Sequence, residues 1–150
     1  MTADPPRLSY WHLWADEDGV SRHTRCELAS FSLASIGPGD SPQWSEALLD
    51  DGNAFLTVLP PGWRAGWHIN KTAKWIMVLS GRWYVESMDG ERLEIGPGEF
   101  SFGGDQNCKA DAAGRIGHLS GQVGDAPCVQ LVIQNNDPKA WVGARPGAFA

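Results

Sequence analysis

The side chains of this chain that could carry chemistry lie in one short stretch and at one later position. His68 and Asn70 precede Lys74, which opens the apolar run 75–79, and His118 follows further along the chain. Imidazoles exchange protons near neutral pH. A charged lysine anchors an anion, whereas a buried, neutral lysine acts as a general base or forms a Schiff base. These residue types therefore indicate acid–base chemistry or anion binding, if the fold brings them together.

The remaining histidines and the cysteines carry weaker signals. Cys26, Cys108 and Cys128 are an odd number without a CxxC pair, so they do not form a disulfide framework or a zinc motif, and we interpret them as reduced thiols. His12 and His23 fall in the N-terminal part of the chain, and we predict hydrogen-bonded structural roles for both.

Short strand-like segments, separated by Gly/Pro turns, must position these side chains. The predicted strands are 10–14, 26–33, 54–59, 74–80, 82–87, 91–95, 99–102 and 129–134. No segment carries a helical apolar stripe longer than two turns. This pattern predicts an all-β antiparallel barrel or sandwich. We divide the chain into a loose start (1–9), one barrel domain (10–136) and a tail (137–150) that packs Trp141 against a partner or the barrel mouth.

The spacing around the candidate residues resembles the first motif of the cupins. That motif reads Gly, five residues, His-x-His, three or four residues, Glu, six residues, Gly, and the matching positions here are Gly62, His68, Asn70, Lys74 and Gly81. The segment IGPGEF at 95–100 resembles the start of the second motif, and His118 matches its histidine. The resemblance covers roughly residues 10–135. It implies a single antiparallel cupin barrel (a double-stranded β-helix, or jelly roll), but no particular reaction.

The departures from that motif concern the metal. The resemblance implies a site of three histidines and one glutamate, and the matching residues here are His68, Asn70, Lys74 and His118. An amide oxygen is a poor ligand for a transition metal, and an ammonium group repels a cation. We therefore expect no metal and no other cofactor. A weakly bound divalent metal, held by His68, His118 and Asn70, is the alternative.

The reversed charge at Lys74 favours an anionic ligand. We predict a metal-independent acid–base enzyme of lyase, isomerase or dehydratase type that acts on a small anionic or aromatic metabolite. The predicted catalytic residues are Lys74, His68 and His118, and the predicted substrate-binding residues are Asn70, Trp63 at the mouth and Gln106 in the polar loop 103–116. Two alternatives stay open: a metal-dependent cupin (dioxygenase or lyase) using His68 and His118, and a non-catalytic ligand-binding cupin.

Strand alternation separates the inward side chains from the outward ones. If Lys74 faces the interior, Trp75 faces outward and is buried against a second sheet or a partner. Trp67 also faces outward if its segment is a strand. The resemblance implies a homodimer, and these two outward tryptophans favour it.

Composition excludes several classes of partner. The formal charge is −6, and residues 1–51 account for it with nine Asp/Glu against three Arg. Sequence-independent nucleic-acid binding needs a basic face, which this balance does not offer. The first 20 residues lack a signal-peptide pattern, and the longest apolar run is too short to span a membrane. We expect a cytoplasmic protein that binds a small molecule and neither nucleic acid nor membrane.

Overall fold

The fold is built from strands alone. The computed structural model describes residues 4–150, and it contains twelve strands and no helix among them. The strands are β1 (Leu8–Ala15), β2 (Ser21–Leu28), β3 (Ser32–Ala34), β4 (Gln43–Ser45), β5 (Gly52–Leu59), β6 (Arg64–His68), β7 (Lys74–Ser80), β8 (Arg82–Ser87), β9 (Arg92–Ile95), β10 (Phe100–Gly104), β11 (His118–Val123) and β12 (Cys128–Asn135). No helix long and apolar enough to cross a membrane occurs in this part of the chain.

Two sheets face each other around a common core. The larger has the order β2-β1-β10-β7-β12-β5, the smaller has the order β6-β11-β8-β9, and β3 and β4 form a separate ribbon. Every pairing is antiparallel except β1 with β10, which is parallel. The side chains buried between the sheets include Leu13, Ile76, Val78, Val85 and Ile95. The predicted all-β jelly-roll architecture is therefore confirmed.

The outer face of the six-stranded sheet is covered at one end by the chain's own C-terminal residues. Trp75 is only 1% exposed, and its ring centroid lies 5.1 Å from that of Phe149. Phe102 packs edge-on against Trp141, with centroids 6.0 Å apart. The expected second sheet or partner over Trp75 is thus replaced by the tail, which packs on this outer face rather than at the barrel mouth. The aromatic side chains of the tail pack against buried residues on this face.

The predicted boundaries differ from the structure by a few residues at the N-terminus. β1 begins at Leu8, two residues before the predicted barrel start, and residues 1–3 of the predicted loose start lie outside the described part. At the other end β12 stops at Asn135, and turns follow. The three cysteines are buried and form no disulfide.

Candidate functional site

A cavity of about 200 Å³ lies between the two sheets. β5 is an edge strand of the larger sheet and β6 is an edge strand of the smaller one, so the cavity lies behind two edge strands. Its lining comprises Phe55, Thr57, Leu59, Trp63, His68, Asn70, Lys74, Ile76, Trp83, His118, Ser120, Gln130 and Val132. Five of the six residues predicted for the site, all except Gln106, thus line one cavity.

The two histidines meet because their strands are neighbours. His68 ends β6, His118 begins β11, and the two are directly paired in the register of these strands. Gly117 adopts a φ of +77°, and a Cβ there would collide with the backbone carbonyl of His68. This glycine allows the close approach that places the ring centroids 4.4 Å apart. The Nδ1–H of His68 donates to the carbonyl of Gly66 at 2.6 Å, which leaves Nε2 free.

The orientation of His118 is fixed by a buried carboxylate. Asp105 is fully buried, and its Oδ2 lies 2.7 Å from Nδ1 of His118. Its Oδ1 accepts hydrogen bonds from both the backbone and the side-chain amide of Asn70, each at 3.0 Å. Burial alone raises the pKa of Asp105, but the contacts with His118 and Asn70 outweigh it, and the pKa is lowered. The charged carboxylate therefore holds Nδ1–H of His118 and leaves Nε2 as the proton acceptor.

Gln106 stands behind the cavity rather than in its lining. Its Nε2 donates to the carbonyls of Asn70 at 3.1 Å and Gly103 at 3.0 Å. A side chain at Gly103 would collide with the amide of Asn70, so the absence of a Cβ there lets Asn70 reach Asp105. Gln106 therefore supports the Asn70 backbone, and its predicted contact with substrate stays a prediction.

Lys74 faces the interior at the start of β7. It lines the cavity, the next inward side chains are Ile76 and Val78, and Trp75 faces the other side. Burial lowers the pKa of Lys74, while the charge of Asp105 raises it, and the pKa falls below its ordinary value. In the described residues Lys74 forms no ion pair, and the carboxylate of Glu99 instead accepts the backbone N–H of Gly96. Lys74 is thus an amine without a bonded counter-ion in a cavity whose lining mixes apolar side chains with imidazole, amide and hydroxyl groups.

Four polar residues of the site were not predicted from the sequence: Asp105, Thr57, Gln130 and Ser120, of which the last lies outside the predicted strands. Asp105 belongs to the polar loop 103–116, and Thr57 and Gln130 belong to the predicted strands 54–59 and 129–134. Gln130 shares the inward face of β12 with Val132, so a polar residue on the buried face of the segment VQLVIQ was the available signal. Asp105 offered no such signal. Cys108, in the same loop, is buried, and burial raises its pKa to about 12, as expected for an unreactive thiol.

The donor set does not fit a tightly held divalent metal. Both imidazoles keep a free Nε2, but the other two positions carry the amide of Asn70 and the ammonium of Lys74. No group of three His, Cys, Asp or Glu with metal-binding geometry occurs within residues 4–150. Two imidazoles and an amide oxygen make at most a weak site beside a cation. No step of the chemistry below is therefore assigned to a metal.

The fold and the cavity define a β-barrel of the small-molecule-binding type. Residues 55–103 match the family model described as "Cupin domain", and this match confirms the predicted resemblance to the cupins over that stretch. One solved structure with detectable similarity is the "Crystal structure of protein NMB1881 from Neisseria meningitidis". It is 16% identical, covers 61% of this chain and 90% of its own, and has a TM-score of 0.39, which supports no inference. No curated protein matches the sequence.

Proposed function

We propose that this protein is a metal-independent acid–base enzyme of lyase, isomerase or dehydratase type, acting on a small anionic or aromatic metabolite. The observation that carries the proposal is the Asp105–His118 pair, at 2.7 Å, in a cavity that also holds Lys74. A buried carboxylate that orients a histidine is the usual way to prepare an imidazole as a general base. The small cavity matches a small metabolite.

The proposed roles follow from the contacts of each side chain. The ammonium of Lys74 anchors the anionic group, because it is the cation that faces the cavity without a bonded partner. Nε2 of His118 takes a proton from the bound molecule, and Asp105 stabilises the imidazolium that results. His68, whose ring lies against that of His118, receives this proton on its free Nε2 and returns it to the bound molecule at a second position. Phe55, Trp63 and Trp83 surround the apolar or aromatic body.

The first prediction concerns the anion anchor. Lys74→Met removes the charge with little loss of volume, and we expect benzoate affinity, measured by calorimetry, to fall about 10-fold to 100-fold. The matched control is Lys71→Met, which removes the same charge from an exposed position, and its affinity should stay within twofold of the wild type. Equal benzoate binding by the wild type and Lys74→Met would contradict the role of Lys74.

Turnover separates the proposal from its two alternatives. The protein is incubated with a mixture of small carboxylates and phenolates, with and without EDTA, and the mixture is followed by mass spectrometry. We expect one component to be converted in both conditions and His118→Gln to abolish the conversion. Conversion that EDTA abolishes and added metal restores would favour the metal-dependent alternative. Retention of a component without conversion would favour a non-catalytic binding protein.

The proposal includes a homodimer formed through the uncovered end of the six-stranded sheet. Leu56, Val58 and Leu79 are exposed there by 65%, 60% and 52% on the outer face, beside the free edge of β5. β5 carries no charged residue and no proline, the usual protections of an edge strand. A second copy would cover this surface, and the three unpaired cysteines suit the cytoplasmic setting that we propose for it.

Light scattering tests the dimer. We expect the mass of a dimer for the wild type at micromolar concentration and the mass of a monomer for Leu56→Lys, because a buried unpaired charge opposes association. Leu33→Lys, at a leucine that is 44% exposed in β3, is the control and should remain dimeric. A monomeric wild type would contradict this part of the proposal.

A further inference from the structure

A second polar element lies in the cavity wall, further along the strands from Lys74. Gln130 lines the cavity, is only 5% exposed, and sits on β12 in direct register with Thr57 of β5. The hydroxyl of Thr57 donates to its Oε1 at 3.2 Å. Its Nε2 is buried and has no nitrogen or oxygen partner among residues 4–150; its one other polar neighbour there is the sulfur of Cys128, a weak acceptor. Buried N–H groups are nearly always paired, so an unpaired amide in a cavity wall is a site for an acceptor.

Strand register gives the position of this amide relative to the lysine. Lys74 is paired with Gln134, Ile76 with Val132, and Val78 with Gln130. Four residues separate the rows of Lys74 and Gln130, which corresponds to about 13 Å along the strands. The row between them is apolar, since Phe55 pairs with Val132 on its other side. The cavity therefore presents a cation, then an apolar band, then a neutral donor.

We infer that Gln130 is a specificity-determining residue, which selects ligands carrying a hydrogen-bond acceptor, such as a ketone, ether or hydroxyl oxygen, at the end opposite the anionic group. The inference rests on the proposed function, because Lys74 defines the anionic end. Thr57 is the positioning residue, since its hydroxyl holds the amide with Nε2 unpaired. A ligand without the acceptor leaves that donor buried and unpaired, and a site of this kind discriminates against such analogues.

Two probes of matched shape test the inference. 4-Acetylbenzoate and 4-isopropylbenzoate share the carboxylate and the ring, and only the first carries an acceptor oxygen at the far end. By calorimetry we expect the wild type to bind the acetyl compound about tenfold more tightly. Gln130→Met, which keeps the length of the side chain, should remove this preference, and Thr57→Val should reduce it. Gln43→Met, the same change on an exposed strand, should keep it.

The outcomes distinguish the inference from the proposed function. Lys74→Met should weaken the binding of both probes and keep their ratio. If Gln130→Met loses the affinity ratio between the two probes while Lys74→Met binds both as tightly as the wild type, the role of Gln130 is supported and the role of Lys74 as anion anchor is overturned. A wild-type ratio near one, or a preference retained in Gln130→Met, would overturn the inference and leave the anchor intact. Failure of the wild type to bind either probe would overturn both.

Discussion

Replacement of Asp105 by alanine is expected to lower the free energy of unfolding by about 3–5 kcal/mol, because each buried donor left without an acceptor costs about 1–3 kcal/mol. The substitution leaves three donors without an acceptor: Nδ1–H of His118 and the two N–H groups of Asn70. Chemical denaturation measures the effect. Asp125→Ala, at an exposed turn residue, is the control and should change stability by less than about 0.5 kcal/mol.

Asp105→Asn separates orientation from stability. An asparagine keeps the shape and can still accept the hydrogen bonds of Asn70, but its amide then faces Nδ1 of His118 as a donor. The ring must respond by moving its proton to Nε2, which removes the proposed base. Nitrogen NMR of labelled histidine should show the Nδ1–H form of His118 in the wild type and the Nε2–H form in the variant. The Nδ1–H form in both proteins would refute the orienting role of Asp105.

Acid is expected to destabilise the fold between pH 6.5 and pH 4 through two buried histidines. Burial lowers the pKa of His12 and of His23 to about 4, against contacts with the Ala144 carbonyl and with Asp89, respectively, that raise it. Nδ1 of His12 and Nε2 of His23 are buried without partners in the described residues. Because the unfolded chain takes up these protons near pH 6.5, their stabilising effect is complete above that pH and lost as the pH falls through 4, by about 3 kcal/mol for each histidine.

Denaturation at a series of pH values measures this loss. His12→Phe should flatten the stability profile between pH 6.5 and 4, because it removes one of the two groups while keeping a ring against Phe102, whose centroid lies 4.9 Å away. His23→Gln should do the same at the other position, where Nδ1 of His23 lies 3.2 Å from the hydroxyl of Ser87. A wild-type free energy of unfolding that stays constant from pH 7 to pH 4.5 would disprove the prediction.

Most of the part of the site that could be predicted lies close together in the sequence, and His118 was added by the resemblance to the second motif. His68, Asn70 and Lys74 fall within seven residues, and period-two alternation suffices to place Lys74 on the same face as Ile76. The fold class followed from short strands and Gly/Pro turns, and the family model matches the same region. Local pattern and spacing were therefore adequate wherever the positioning element is a single strand.

The rest depends on contacts between distant segments. Asp105 reaches Asn70 across 35 positions and His118 across 13, from a polar loop whose composition alone favours a solvated surface. The sequence of the tail (137–150) likewise shows no periodic pattern of apolar residues that would predict where it packs. The tail covers Trp75 because Trp141 and Phe149 pack against the aromatic rings on the outer face of the sheet. Such pairings are decided by shape and burial, which neighbouring residues in a sequence do not encode.

Four of the eight tryptophans lie in two locations and give this protein two sets of optical reporters. Trp63 and Trp83 line the cavity, whereas Trp75 lies under the tail and Trp141 belongs to it, on the opposite side of the six-stranded sheet. A bound molecule changes the surroundings of the first pair and leaves those of the second unchanged, while release of the tail does the reverse. Intrinsic fluorescence, combined with Trp→Phe substitutions in each pair, can therefore follow occupancy of the cavity and opening of the outer face as separate signals without an attached dye.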